Sequence, residues 1–186
     1  MGKLIYSLNV SLDGFVETPD HGLDWANVDE ELHSWFNDQT TALDATLYGR
    51  RMYEVMAAYW PTADDDPSAH EREREFARIW NPMPKIVFSS SLERVEHNGR
   101  LVRGDVGAVL EDLRRELDGD LDVGGPNLAS QFVRRGLVDE FRLVVHPVVL
   151  GRGTPFWPEV DAPLRLRLVE TRTFDSGAEL RTYVPS

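Results

Sequence analysis

Residues Leu4, Tyr6, Leu8, Val10 and Leu12 alternate with Ile5, Ser7, Asn9 and Ser11, a period of two that predicts a β-strand. One face of that strand is polar. On an edge strand such a face simply meets water. On a central strand it must line a cleft, because buried polar groups need partners. The segment alone leaves both readings open. After the Asp13-Gly14 turn, a loop rich in Pro, Asp and Gly runs to about Asn27, long for a connection and suited to a lid. Asp29 then opens a helix, with Leu32, Trp35, Phe36 and Leu43 at helical spacing and Glu30 and Glu31 in the first turn, where the macrodipole favours acids.

A short strand, Ala45 to Tyr48, ends at Gly49, and Arg51 to Ala58 can form the next helix. Pro61 to Pro67 reads as a loop, and Ala69 to Trp80 as a surface helix with Phe76, Ile79 and Trp80 turned inward. Lys85 to Phe88 is a strand running into Ser89-Ser90-Ser91, and Arg100 to Arg103 a further short one. Val109, Leu110, Leu113 and Leu117 mark a helix between Gly107 and Leu117, closed by Asp118-Gly119. Leu121 to Val123 is a strand, and the helix after Gly124-Gly125 carries Leu128, Phe132 and Val133. Phe141 to Leu150, Leu164 to Phe174 and Glu179 to Val184 are then β-rich with no helix between them, which predicts antiparallel strands. Strand and helix alternate and then give way to strands alone. The fold class is α/β: a mostly parallel central sheet flanked by helices, with an antiparallel C-terminal edge.

At 186 residues the chain suits one domain, residues 1–186, with its own core. It lacks a membrane span and a secretory leader pattern, so a cytoplasmic location is expected and no membrane partner. There is no cysteine, which excludes disulfides, thiol catalysis and cysteine-ligated metals. A formal net charge of -12, with arginines scattered along the chain, argues against nucleic acid as a partner.

Three predicted strand ends carry residues suited to phosphate: Gly49-Arg50-Arg51, Ser89-Ser90-Ser91 and Gly124-Gly125. Alone, each is a weak signal, since a Gly pair is often only a tight turn, an Arg pair surface and a serine run a solvated loop. In open α/β sheets, however, ligands bind outside the carboxyl ends of the strands, so these ends converge on one edge of the sheet. Glycines let backbone approach a pyrophosphate, the following helix offers free N–H groups, and arginine pairs with phosphate as a planar fork. GxGxxG and the Walker A lysine motif are both absent.

The segments Ser11-Leu12-Asp13-Gly14-Phe15, Tyr48-Gly49-Arg50-Arg51-Met52-Tyr53-Glu54, Val123-Gly124-Gly125-Pro126-Asn127, Leu137-Val138-Asp139-Glu140 and Pro147 to Gly153 follow one another in the order found in a known family. The chain resembles the dihydrofolate-reductase-like family, which includes the reductase domain of the bifunctional riboflavin biosynthesis protein. The resemblance covers nearly the whole chain. It implies an NADPH-dependent reductase acting on a small, ring-containing substrate. Gly49, Arg50 and Arg51 would lie near the adenosine phosphates, Ser89 and Ser90 near the ribose phosphate, and Gly124, Gly125, Pro126, Asn127 and Leu128 around the pyrophosphate. Ser11, Gly14 and Phe15, after the first strand, would also contact the cofactor. A cis peptide between Gly124 and Gly125 is implied, and the first strand would line the nicotinamide pocket, which favours the cleft reading of Ser7 and Asn9.

Two departures from the family pattern stand out. Met52 replaces a common threonine that can reach a phosphate. Folate reductases carry a buried acid three residues before an aromatic pair; here the pair is Trp35-Phe36 and that position is Leu32, while Glu31 points about 100 degrees away around the helix. Folate is therefore not the expected substrate. The substrate pocket is assigned to Ser7, Asn9, Trp25 and Glu31. Glu17, Asp20, Asp24 and Glu31 are possible proton sources, with Glu17 and Asp20 expected to be solvated. Tyr53, Tyr59 and Trp60 read first as packing residues. His21, His33, His70, His97 and His146 show no metal-ligand spacing, and no metal is expected. A stand-alone ribosylamino-pyrimidine reductase and a silent NADP-binding module are the alternatives. Relatives often pair through their C-terminal strands, and Phe156-Trp157 would be an exposed apolar patch in a monomer, so a homodimer is expected.

Overall fold

Residues 2–186 are described in a computed structural model of the protein. The first strand, β1 (Leu4–Ser11), is central: it lies parallel to β6 (Asp120–Gly124) on one side and to β7 (Glu140–His146) on the other. With β3 (Leu43–Gly49), β4 (Lys85–Phe88), β5 (Gly99–Val102), β9 (Leu166–Thr173) and β10 (Glu179–Pro185) it builds one eight-stranded sheet in the order β5-β4-β3-β6-β1-β7-β10-β9. Pairing is parallel from β5 to β7, whereas β10 runs antiparallel to β7 and to β9. This is the mostly parallel sheet with an antiparallel C-terminal edge that the strand and helix pattern predicts.

The helices are α1 (Glu30–Thr41), α2 (Arg50–Ala63), α3 (Glu71–Trp80), α4 (Val106–Glu116) and α5 (Pro126–Arg134). Apolar residues of α4 and α5, among them Leu110, Leu113, Phe132 and Val133, pack against Leu4, Tyr6, Leu47 and Leu121 of the sheet. On α1, Leu32 and Trp35 pack with Val144, Phe174 and Leu180. The two-sided cover explains why the central strands read as apolar runs. Lys85, fully buried on β4, donates from Nζ to the carbonyls of Trp80, Asn81 and Met83 at the end of α3. Burial lowers its pKa to about 8, and the three carbonyls take up its donors.

Several local expectations are corrected. Leu43 belongs to β3, not to the preceding helix, which ends at Thr41. Helix α2 runs five residues past Ala58 and through Pro61, because a proline so close to the helix end costs one hydrogen bond and little more of the ladder. The region after β1 contains β2 (Phe15–Glu17), which pairs antiparallel with β8 (Thr154–Pro155). Strands this short carry too few residues to show alternation. Phe156 is fully buried and stacks on Tyr6 at 4.1 Å, with Trp157 beside it. The Phe156-Trp157 patch therefore packs on the protein's own core and supplies no argument for a dimer.

Candidate functional site

Helix N-termini leave backbone N–H groups unpaired, and most helices close them with a side chain. Asp29 caps α1 through Leu32 N at 2.8 Å, His70 caps α3, and Asp105 caps α4 through Gly107 N and Ala108 N. Helices α2 and α5 are different. Their N-cap residues are Gly49 and Gly125, with no side-chain cap. These two starts face each other at the carboxyl ends of β3 and β6. A Cβ built on Gly49 would lie 3.6 Å from Leu128, and one on Gly125 3.4 Å from Met52. A Cβ on Gly124 would press into the Tyr48 ring at 2.7 Å, so this strand end tolerates only glycine.

Between them opens a cavity of about 650 Å³, within the range of cofactor and ligand sites. One end is lined by Gly49, Arg50, Arg51 and Met52 with Gly124, Gly125, Pro126, Asn127 and Leu128. The other is lined by Asn9 of β1 and by Leu23, Trp25, Ala26 and Val28 of the segment following β2, with Val55 from α2. No peptide bond among the described residues is cis. The Gly124-Gly125 turn is instead made by a trans peptide with Gly125 at φ 93, a conformation open to glycine. That corrects the expected cis bond.

Across the phosphate-suited end lies a buried carboxylate. Glu17 accepts from Arg51, from Thr154 Oγ1 at 2.6 Å, and pairs with His21 Nδ1 at 2.9 Å. Burial pushes its pKa up, and the bonds from Arg51, Thr154 and His21 more than offset that, so the carboxyl sits below its usual range. The expectation of a solvated Glu17 is corrected. Arg51 is thus charge-compensated, while the exposed Arg50 has, among the described residues, only Glu54 as an ion-pair partner, at 4.0 Å.

Beneath the other end, Asn9 Oδ1 meets His146 Nε2 at 2.8 Å. An amide oxygen only accepts, so Nε2 donates and Nδ1 is the acceptor. Burial lowers the His146 pKa, with Asp29 opposing, and keeps the ring neutral. Trp25 stands edge-on to it at 5.6 Å.

The RibD C-terminal domain family model matches residues 2–180, nearly the entire chain. The chain belongs to the RibD C-terminal domain family. Its curated relatives include the uncharacterized protein YyaP of Bacillus subtilis, 34% identical over 182 residues, 97% of this chain and 94% of the relative. Among solved structures, the Thermotoga maritima diaminohydroxyphosphoribosylaminopyrimidine deaminase/5-amino-6-(5-phosphoribosylamino)uracil reductase is similar at TM-score 0.68 and 18% identity, covering all of this chain and 57% of that one. Enterococcus faecalis dihydrofolate reductase complexed with NADP(H) is similar at TM-score 0.66 and 15% identity, covering 100% and 97%. The fold is dihydrofolate-reductase-like, and both of these solved neighbours are named as reductases.

Within this RibD C-terminal domain, the residues expected at the cofactor separate into two groups. Gly49, Arg50, Arg51 and Gly124 to Leu128 line the cavity. Ser11, Gly14 and Phe15 do not; the Ser11 hydroxyl accepts from Phe15 N at 2.9 Å and donates to Asp13 at 2.7 Å, holding the turn that carries β2. Ser89 and Ser90 also lie outside its lining; Ser89 Oγ accepts from Ser91 N and Leu92 N and closes its own loop. Of the residues assigned to substrate, Asn9 and Trp25 line the cavity. Ser7 opens instead into a separate cavity of about 60 Å³ with Gln39, Asp122 and Arg142, because it sits nearer the start of β1. Glu31 is remote from both: it accepts from Arg172 and from Asp175 N, the edge its helix turns toward β9. Tyr53, Tyr59 and Trp60 have packing and local hydrogen-bonding roles, as read from the sequence. Sequence reading missed Leu23, Val28 and Val55, apolar residues that look like surface exceptions until the cavity joins them.

Proposed function

We propose that this protein is an NADPH-dependent reductase whose cofactor lies across the carboxyl ends of β3, β6 and β1. The observation that carries the reading is the pair of uncapped helix starts. Among the helices described, α2 and α5 alone lack a side-chain cap, and both face the cavity. Their free N–H groups and dipoles suit a pyrophosphate, glycine at each start lets it approach, and Arg50 is the cation free for a further phosphate on the ribose. The Enterococcus faecalis neighbour was solved with NADP(H), which supports this choice of cofactor.

When bound, the reduced cofactor supplies a hydride. The chain's own residues orient the acceptor beside Asn9 and Trp25 and shield it behind Leu23 and Val28. Addition of hydride to a C=O or C=N bond also consumes one proton. Glu17, Asp20 and Glu31 all sit below the usual carboxylate range, Glu17 through Arg51, Thr154 and His21, Asp20 through Thr18, and Glu31 through Arg172. None of the three is a general acid at neutral pH, and Asp24, the fourth candidate, does not line the cavity, so in this reading the proton comes from water. Calorimetric titration with NADPH, with NADH as the control, tests the reading. Micromolar NADPH binding is expected; no NADPH binding overturns it.

The names of the family and of the Thermotoga maritima neighbour favour a second reading, reduction of a ribosylamino-pyrimidine in riboflavin synthesis. Complementation of a riboflavin auxotroph lacking that reductase decides it. A homodimer and a cytoplasmic location stay part of the proposal; light scattering tests the former.

A further inference from the structure

One ring nitrogen in the cavity wall lies against two groups of opposite charge. His21, Glu17 and Arg51 all line the cavity, Arg51 in the first turn of α2. His21 Nδ1 is 2.9 Å from Glu17 Oε1 and 3.0 Å from Arg51 Nη1. The other Glu17 oxygen holds Arg51 Nη2, and Thr154 Oγ1 donates to Oε1 at 2.6 Å. A ring nitrogen carries either a proton or a lone pair, so Nδ1 cannot donate to the carboxylate and accept from the guanidinium at once. Neutral imidazole with Nδ1 bare accepts from Arg51, which keeps the guanidinium between His21 and Glu17. Imidazolium instead donates to Glu17 and sets a second positive charge against Arg51, which drives the guanidinium away.

The backbone holds His21 in this position at a cost. It stands at φ 67, in the left-handed region that few residues other than glycine enter. Thr18 fixes the turn: its carbonyl accepts from His21 N at 2.9 Å and its hydroxyl from Gly22 N at 2.8 Å. With its side chain 56% exposed, His21 exchanges protons with water. The charged groups that meet it among the described residues are Glu17 of β2, Asp20 of its own turn and Arg51 of α2; β8 adds the uncharged Thr154. Burial opposes the charge on Glu17, but the bonds from Arg51, Thr154 and His21 hold its carboxyl below the usual range, so it stays ionised while His21 titrates. Neutral His21 leaves a Glu17–Arg51 pair of zero net charge, and protonation makes the cluster net positive.

We propose that His21 sets the cofactor affinity by its protonation: neutral, it leaves Arg51 held on Glu17; protonated, it takes over Glu17 and releases Arg51 to the cofactor's pyrophosphate. This rests on the cofactor reading above, with the pyrophosphate at the start of α2. Reciprocity requires the bound cofactor to draw a proton onto His21. His21 acts through Arg51 and is a positioning residue.

NADP+ is titrated calorimetrically into the full chain at about pH 8 and about pH 5.5, the span in which histidine takes up its proton, at constant ionic strength. The 2′-phosphate of NADP+ titrates in the same span, so each measurement is repeated on His21→Asn, a side chain that accepts the left-handed backbone and does not titrate. From the higher to the lower pH, wild-type affinity is expected to rise about five-fold relative to the variant. Glu17→Gln, which frees Arg51 without protonation, should bind more tightly at the higher pH and lose most of the wild-type rise; it carries the comparison should His21→Asn not fold. The cofactor-free chain gives a second readout. The Arg51 Nε–H NMR signal should shift with the same midpoint as the His21 ring and stay still in His21→Asn. An equal pH response of wild type and His21→Asn, a relative loss of affinity at the lower pH, or an Arg51 signal that ignores His21 overturns the proposal. Wild type that binds NADP+ at neither pH, with Arg51 still following His21, overturns the cofactor reading instead.

Discussion

The two ends of the cavity bind by different means. At the Gly49 and Gly125 end the recognising groups are backbone: free helix N–H groups that glycine leaves uncovered. At the Asn9 and Trp25 end they are side chains, set by partners far away in sequence, since Asn9 is oriented by His146, 137 residues on. Backbone recognition suits a ligand part common to many enzymes, a pyrophosphate. Side-chain recognition suits the part that varies, the substrate.

The sharpest way to break this contrast is to give α2 the cap it lacks. Gly49 has an ordinary extended backbone at φ -76 and room for a Cβ, so Gly49→Asp can cap the helix. The carboxylate then occupies the phosphate's place. NADPH affinity should fall at least a hundred-fold by calorimetry, while the melting temperature rises by about 1 °C, from a few tenths of a kcal/mol of added capping. A fall in both would mean that the site failed through misfolding.

A second contrast concerns two carboxylates, Glu17 in the wall of the large cavity and Asp122 in the separate small one beside Ser7. Burial raises the Asp122 pKa to about 6, with the Thr46 hydroxyl and Arg142 opposing. A folded-state pKa above the unfolded value means that stability is full below about pH 4 and is lost as pH rises through 6. Asp122→Asn should therefore stabilise by about 2–3 kcal/mol at pH 8 and by nothing near pH 3, measured by urea unfolding across pH. Glu17 has the opposite sign, its pKa being lowered. Its stabilisation is present above about pH 4.5 and disappears as pH falls through the folded value. Glu17→Gln should lower the melting temperature at pH 7 and, by uncovering Arg51, raise NADPH affinity about two- to five-fold at low salt.

The smallest effect expected is at a capped helix that faces away from the cavity. Asp105→Ala should cost about 1 kcal/mol of stability by denaturant unfolding and leave NADPH affinity unchanged.

The phosphate-suited end was legible in the sequence because its signals are local: a strand, a glycine and a helix start within a few residues. Strand β4 was legible to the residue, Lys85–Phe88, and the Gly124 turn with its helix follows from four adjacent letters. Glu17 was illegible because its partners Arg51 and Thr154 lie 34 and 137 positions away, and nothing near Glu17 distinguishes it from a surface acid. Ser89 and Ser90 are ambiguous for the converse reason: a serine run after a strand looks alike whether it holds a phosphate or closes its own loop, as Ser89 does here. Glu31 shows that helical phase alone does not say which neighbour a residue faces, here Arg172 of the antiparallel edge.

The central claim is that the starts of α2 and α5 together hold the cofactor's phosphates. Backbone amide chemical shifts measured on titration with NADPH test it most directly. The account predicts the largest changes at Arg50, Arg51, Met52, Asn127 and Leu128, and little change in the first turns of α1, α3 and α4. Shifts concentrated at those capped helices, or no shifts at α2 and α5, would contradict it.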